Sequence, residues 1–186
     1  MQTIALTSCE CIAAVTVGTF AAVIDARTGR IPNWLTLPTL CLGPILHGIL
    51  AGHVGVFQSF VGLLAAGAVP WLLYRSTQGR AIGGGDVKLF AALGGLLGPA
   101  RGLEVQLTAF ALLAFFALIA LAYRGQLFRI LRNTVQLAAN PFLPKSWRRP
   151  IEAASLTEFR MGPSIAVAVI ANSTLAYLHR FVPWLG

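Results

Sequence analysis

The sequence predicts an all-α polytopic membrane protein with six transmembrane helices, and three observations point there. Of the 186 residues, 56% are apolar and only 11% are charged, about half the charge of an ordinary soluble domain. The mean hydropathy is +0.75. The apolar residues also gather into long runs, as a bilayer demands of a spanning helix. Disorder and a water-soluble globule are excluded by this composition. The chain is expected to form one membrane-embedded domain over residues 1–186, without internal repeats or low-complexity tracts.

The six apolar segments are residues 4–24, 35–50, 57–74, 87–97, 105–123 and 163–182. The first resembles a signal peptide in position only: a cleaved leader needs a positive start, and residues 1–5 carry no charge, so a retained helix is expected. The second is interrupted by Pro38, Gly43, Pro44 and Gly48, which membrane helices tolerate when neighbours satisfy the freed backbone groups. The fourth is short. Its run stops at Gly98-Pro99, giving about 17 Å of helix against a hydrocarbon core of about 30 Å. Its N-terminal end is therefore expected to be reached by water.

The connection at 124–162 is the longest non-spanning stretch. Leu127, Ile130, Leu131, Val135 and Ala138 recur at helical spacing with Arg129, Arg132 and Asn133 between them. This pattern predicts an amphipathic helix on the membrane surface between helices five and six, ended by Asn140-Pro141 and Pro144.

The net charge of +8 is a matter of topology. Twelve of the fourteen Lys and Arg residues fall in or beside the connections after the first, third and fifth segments; only Arg101 and Arg180 fall on the other side. The positive-inside rule then places those connections in the cytoplasm and both termini outside. No nucleic-acid partner is expected, since no basic patch with interleaved aromatics forms a separate domain. Trp34, Trp71, Tyr74 and Trp184, near helix ends, read as an interfacial aromatic belt.

Metal chemistry is not expected either. Cys9, Cys11 and Cys41 form no C-x-x-C pair and read as packing residues. His47, His53 and His179 lie on different elements without ligand spacing. Glu10, within the first helix, is assigned to packing or water contact at the outer face, since about 22 Å of helix separates it from Asp25.

Only two of the six acidic residues are aspartates, Asp25 and Asp86. Each stands at a helix end on the cytoplasmic side: Asp25 directly follows the first apolar run, and Asp86 directly precedes the fourth. An ionisable group at that depth is costly and marks a functional site by default, although Asp86 is also well placed as a helix cap. If the two helix ends meet, two close carboxyls cannot both be ionised and must share a proton. The ionised member takes a proton from water as it attacks a peptide carbonyl, and the protonated member donates to the carbonyl oxygen. Such chemistry needs no cofactor. Gly83, Gly84 and Gly85 before Asp86 let the backbone bend and a peptide approach closely. A phosphate-binding loop would need G-x-G-x-x-G or a Gly-Lys-Ser/Thr sequence, and Lys88 stands where the third glycine belongs.

Asp25-Ala-Arg27-Thr-Gly-Arg30-Ile31-Pro32-Asn33, joined with Gly83-Gly84-Gly85-Asp86-Val-Lys88 about sixty residues later, resembles the type IV prepilin leader peptidases, six-helix aspartyl peptidases with a GxGD motif in the bacterial inner membrane. A weaker third match is Phe159-Arg160-Met161-Gly162-Pro163 at the start of the last helix. The resemblance covers essentially the whole chain. It implies that Asp25 and Asp86 are the catalytic pair and that Gly83, Gly84 and Gly85 shape the active-site loop. Lys88, Arg27 and Asn33 are implied as supporting or substrate-contacting residues.

The implied function is removal of the basic leader from pilin-like precursors at the cytoplasmic face, with other pilus-assembly proteins as possible partners. Larger family members carry a zinc-binding insert with two C-x-x-C pairs, associated with N-methylation. Here only residues 30–34 separate the first two helices and those cysteines are absent. The chain is thus similar to the compact, peptidase-only branch serving tight-adherence (Tad/Flp) pili, and no N-methyltransferase activity is expected. Two other readings remain open at this point: an ion- or proton-coupled transporter, and an inactive pilus-assembly scaffold.

Overall fold

In the computed structural model, which describes residues 2–79, 82–123, 125 and 161–181, all regular structure among these residues is helical. The elements are α1 (Gln2–Thr28), α2 (Asn33–Ser76), α3 (Gly84–Leu97), α4 (Pro99–Tyr123) and α5 (Gly162–Phe181). The chain divides into two compact units, Met1–Leu112 with Arg160–Gly186, and Leu113–Phe159. The described part of the second unit is mainly the last turns of α4, where the Phe115 and Phe116 rings meet edge-on, 5.9 Å apart. The amphipathic stretch expected within 124–162 lies outside the described residues, as does Trp184.

Three helical stretches are long and apolar enough to cross a membrane: Cys9–Thr28, Asn33–Ser76 and Pro99–Ala120. The last apolar segment forms α5, a helix of 20 residues. The outward faces carry Ile12, Phe20, Ile49, Phe57, Leu64 and Leu107, each more than half exposed. A surface of that kind suits hydrocarbon rather than water.

The second and third apolar segments form two helical arms joined directly at Gly52, without an extended loop between them. They lie in one 44-residue element, α2, broken only at Gly52, whose backbone (φ 64°, ψ −154°) is a conformation open essentially to glycine. The chain reverses there. A side-chain carbon added at Gly55 would come within 2.5 Å of the His47 carbonyl oxygen, although residues eight apart in an unbroken helix stand about 12 Å apart. The turn is thus a single residue, tighter than the apolar run lengths suggest. Pro38, Pro44 and Pro70 are all carried inside the helix.

The two arms of α2 enclose α3. Gly43 on the first arm abuts the Gly95 backbone, Gly62 on the second abuts Gly94, and Ser59 Oγ donates to the Gly95 carbonyl at 2.6 Å. On its far side Gly102 of α4 touches Gly94, and the Phe90 and Phe110 rings stack at 5.4 Å. Every residue from Leu89 to Leu97 is therefore buried, which is why this helix is apolar all round and not on one stripe. It stops where the sequence places its end, at Gly98 (φ 79°) and Pro99, with Pro99 opening α4.

Polar groups occupy both ends of this arrangement. At the end near Gly52, Glu10 of α1 lies 3.3 Å from His47 Nε2 and 3.6 Å from Arg101 Nη1. His47 Nε2 also lies 3.1 Å from the Leu96 carbonyl. Glu10 and His47 are both buried, so the cluster ties α1, α2, α3 and the start of α4 together. Glu10 is thus a packing residue of a particular kind, an ion-pair partner. The opposite end holds the two aspartates.

Candidate active site

Helix α1 closes on glycine: Gly29 takes a left-handed φ of 69° and its N–H donates to the Asp25 carbonyl at 2.8 Å. The chain then runs through Arg30 and Ile31 to Pro32, whose extended backbone (φ −76°, ψ 148°) leads into α2. This short link places Asp25, one turn before the helix end, beside the chain that enters α2.

The start of α3 comes up against the same link. Gly85 lies so near Ile31 that an added side-chain carbon would stand 2.9 Å from both the Ile31 Cβ and its carbonyl oxygen. Only a residue without a side chain allows that approach. Gly83, in extended conformation, precedes α3, and its N–H donates to Asp86 Oδ2 at 3.1 Å. Asp86 thus caps its own helix from the third position, as its place in the sequence allows.

Between these elements lies a cavity of about 310 Å³ lined by Asp25, Gly29, Arg30, Ile31, Gly83, Gly84, Gly85 and Asp86. The structure therefore brings the two aspartates and all three glycines to one space. Lys88, two residues after Asp86 on α3, donates from Nζ to Asn33 Oδ1 at 2.7 Å, linking the two sequence motifs outside the cavity wall. Arg27 is exposed in the last turn of α1 and lies outside the lining. Gly29, Arg30 and Ile31 are lining residues that were not singled out from sequence. Their signal was their place inside the first motif, next to Asp25.

Burial pushes the Asp86 carboxyl from its ordinary value of 3.8 up to about 6, an effect opposed by the Gly83 N–H and reinforced by the negative charge of Asp25. Asp25 is buried, and its Oδ2 accepts a hydrogen bond from the Gly162 N–H of α5 at 3.0 Å. Two carboxyls lining one cavity, with Asp86 holding its proton to higher pH than an ordinary carboxyl, can supply a base for water and an acid for a carbonyl oxygen. Among the described residues no three His, Cys, Asp or Glu side chains gather in a way that would hold a metal ion.

This geometry accords with what the chain is similar to. The family model described as "Type IV leader peptidase family" matches residues 12–122, a stretch that contains both aspartates and all of the cavity lining. Among curated proteins, the prepilin leader peptidase/N-methyltransferase of Dickeya chrysanthemi is 44% identical over 81 residues, 41% of this chain and 28% of that protein. The protein of the same name from Aeromonas hydrophila is 35% identical over 125 residues, 65% of this chain and 40% of its own length. The one from Burkholderia pseudomallei is 36% identical over 127 residues, 66% and 39% of the two chains. The chain spans less than half the length of these relatives. No solved structure matches it. With a match that runs from α1 into α4 and covers more than half of the sequence, the chain belongs to the type IV leader peptidase family.

Proposed function

We propose that the chain is an aspartic endopeptidase that removes the basic N-terminal leader from type IV pilin-like precursors of the Flp/Tad kind, in the bacterial inner membrane with its site open to the cytoplasm. The observation that carries this reading is the shared cavity: Asp25 and Asp86, sixty-one positions apart, line one space walled by glycine backbone. Family membership and prepilin-cleaving relatives support the substrate class.

The chemistry follows from the site. A substrate entering the cavity in extended form meets backbone at Gly83, Gly84 and Gly85 instead of side chains, so its peptide bond lies close to both carboxyls. The carboxylate of one aspartate takes a proton from water as the water oxygen attacks the scissile carbonyl. The other aspartate, in its acid form, gives its proton to the carbonyl oxygen; as the resulting gem-diol collapses, the first aspartate passes the proton taken from water to the leaving amine and a diol hydroxyl returns a proton to the second. The raised pKa of Asp86 supports its assignment as the proton carrier.

Six membrane passes fit the fold when each arm of α2 is one crossing: α2 would be about 66 Å long as a straight helix, twice the hydrocarbon thickness, and it reverses at its midpoint. The distribution of Lys and Arg then puts the aspartate end in the cytoplasm, where the leader of a precursor resides. The connection from α1 to α2 is four residues long, which supports peptidase activity without methyl transfer.

The test is co-expression with a pilin-like precursor carrying a basic leader, read by gel mobility, N-terminal sequencing and intact mass. The wild type is expected to release the leader and leave an unmethylated N-terminus. Asp25→Asn and Asp86→Asn are each expected to stop cleavage while the protein still accumulates in the membrane. Normal cleavage by either variant would remove that residue from the pair, and a wild type that cleaves no precursor would favour the scaffold reading.

A further inference from the structure

We propose that Gly162 is a positioning residue of the catalytic pair, its backbone N–H fixing the Asp25 carboxyl and its missing side chain leaving the space in which that carboxyl sits. The inference rests on the peptidase reading and assigns a role to the one sequence match, Phe159-Arg160-Met161-Gly162-Pro163, that the reaction itself does not use.

Helical bonding in α5 begins with the Ile165 N–H, which donates to the Met161 carbonyl at 3.0 Å. Amides before that point have no partner within the helix. Pro163 has none to offer, which leaves those of Gly162 and Ser164. The Gly162 N–H goes to Asp25 Oδ2 at 3.0 Å, a buried hydrogen bond spanning 137 positions of sequence. A carboxyl on α1 thereby caps α5. Asp25 and Asp86 are then held alike: each has its Oδ2 on a glycine N–H, Gly162 for one and Gly83 for the other. In both cases the hydrogen bond engages Oδ2. A carboxyl anchored at one oxygen loses little orientational freedom when the reaction begins, and misplacement of such a group by about 1 Å costs on the order of a hundredfold in rate.

The absence of a side chain at Gly162 is equally specific. A carbon added there would stand 2.7 Å from both Cβ and Oδ2 of Asp25 and 3.1 Å from its Cγ. Cβ of Asp25 lies on the buried face of α1, one turn from the fully enclosed Ala21, so the carboxyl must rotate away or α5 must shift. Gly18 provides the contrast. It lies in the same α1–α5 contact, and a carbon added there would meet Val169 at an ordinary 3.5 Å.

The experiment compares wild type, Gly18→Ala, Gly162→Ala and Asp25→Asn on a purified precursor, measuring kcat, KM, the pH profile of kcat and melting temperature in detergent. Gly162→Ala is expected to lower kcat by about tenfold or more and alter the pH profile, with KM within about twofold and the melting temperature near that of Gly18→Ala. Wild-type kcat in Gly162→Ala, or a loss matched by equal loss of thermal stability, would overturn the proposal. If Asp25→Asn cleaves normally, the peptidase reading fails instead.

Should Gly162→Ala not accumulate, amide hydrogen exchange decides the matter without it. The Gly162 amide is expected to exchange about tenfold faster or more in Asp25→Ala than in wild type. Fast exchange already in the wild type, or no difference between the two, contradicts the proposal.

Discussion

Asp86 carries two opposed demands. Its backbone partner at Gly83 favours the carboxylate, while burial and the charge of Asp25 favour the acid, and the balance leaves the pKa at about 6. The same imbalance acts on folding. Because the folded-state pKa lies above the ordinary 3.8, the folded chain holds its proton more tightly than the unfolded one. The associated stability is fully present below pH 3.8 and is lost as pH rises through 6. Asp86→Asn, which keeps an acceptor for the Gly83 N–H, removes that dependence. The variant is expected to match wild type near pH 4 and to be more stable at pH 8 by on the order of 2 kcal/mol. Thermal unfolding of both proteins in detergent across that range measures it, and a gap that stays constant with pH would contradict the electrostatic account. The two aspartates themselves were legible in the sequence, since carboxyls are rare and costly in so apolar a chain. The cavity wall was less so, because Arg30 and Ile31 are ordinary residues made important only by the close approach of Gly85.

At the scale of elements, the end of α3 could be read directly, since Gly98 and Pro99 stop it, whereas the helix starts at Gly84, three residues before the apolar run that begins at Val87. Its burial on every face follows from an apolar run without a polar stripe. The reversal in α2 was legible as a gap between the apolar runs at 50 and 57, but the single residue that makes it was not. Pro38, Gly43, Pro44 and Gly48 all signal a break more strongly than Gly52, yet the helix runs through them, because packing against α3 outweighs local preference and only a φ of 64° requires glycine. The Glu10, His47 and Arg101 cluster was also hidden: three positions far apart in sequence share no spacing that would announce a contact. The reversal has a clean test. Nothing lies within 4 Å of the space a side chain would occupy at Gly52, so Gly52→Ala carries only a conformational cost, about 1–3 kcal/mol. A matching fall in stability in chemical denaturation is expected, and an unchanged midpoint would place the reversal elsewhere.

For the whole molecule, the decisive asymmetry is that of charge. Among the described residues, Arg27, Arg30, Arg75 and Lys88 lie in or beside the helix ends near the aspartate cavity and Arg101 lies at the opposite end, so the cavity side is expected to face the cytoplasm. In a background with Cys9, Cys11 and Cys41 replaced by alanine, a membrane-impermeant maleimide is expected to label His53→Cys in intact spheroplasts. Gln78→Cys, in the turn after α2, should react only after permeabilisation. The reverse pattern would put the cavity outside, where no leader is presented. The proposed function makes the two carboxyls that line one cavity a single catalytic unit. Groups that act as a unit are not additive when removed. The most direct measurement is therefore the residual cleavage rate of Asp25→Asn, Asp86→Asn and the double variant on one purified precursor. The account expects all three to fall to the same floor, within about twofold of one another. Substantial activity in either single variant, or losses that multiply in the double, would show that the two aspartates do not work as a pair.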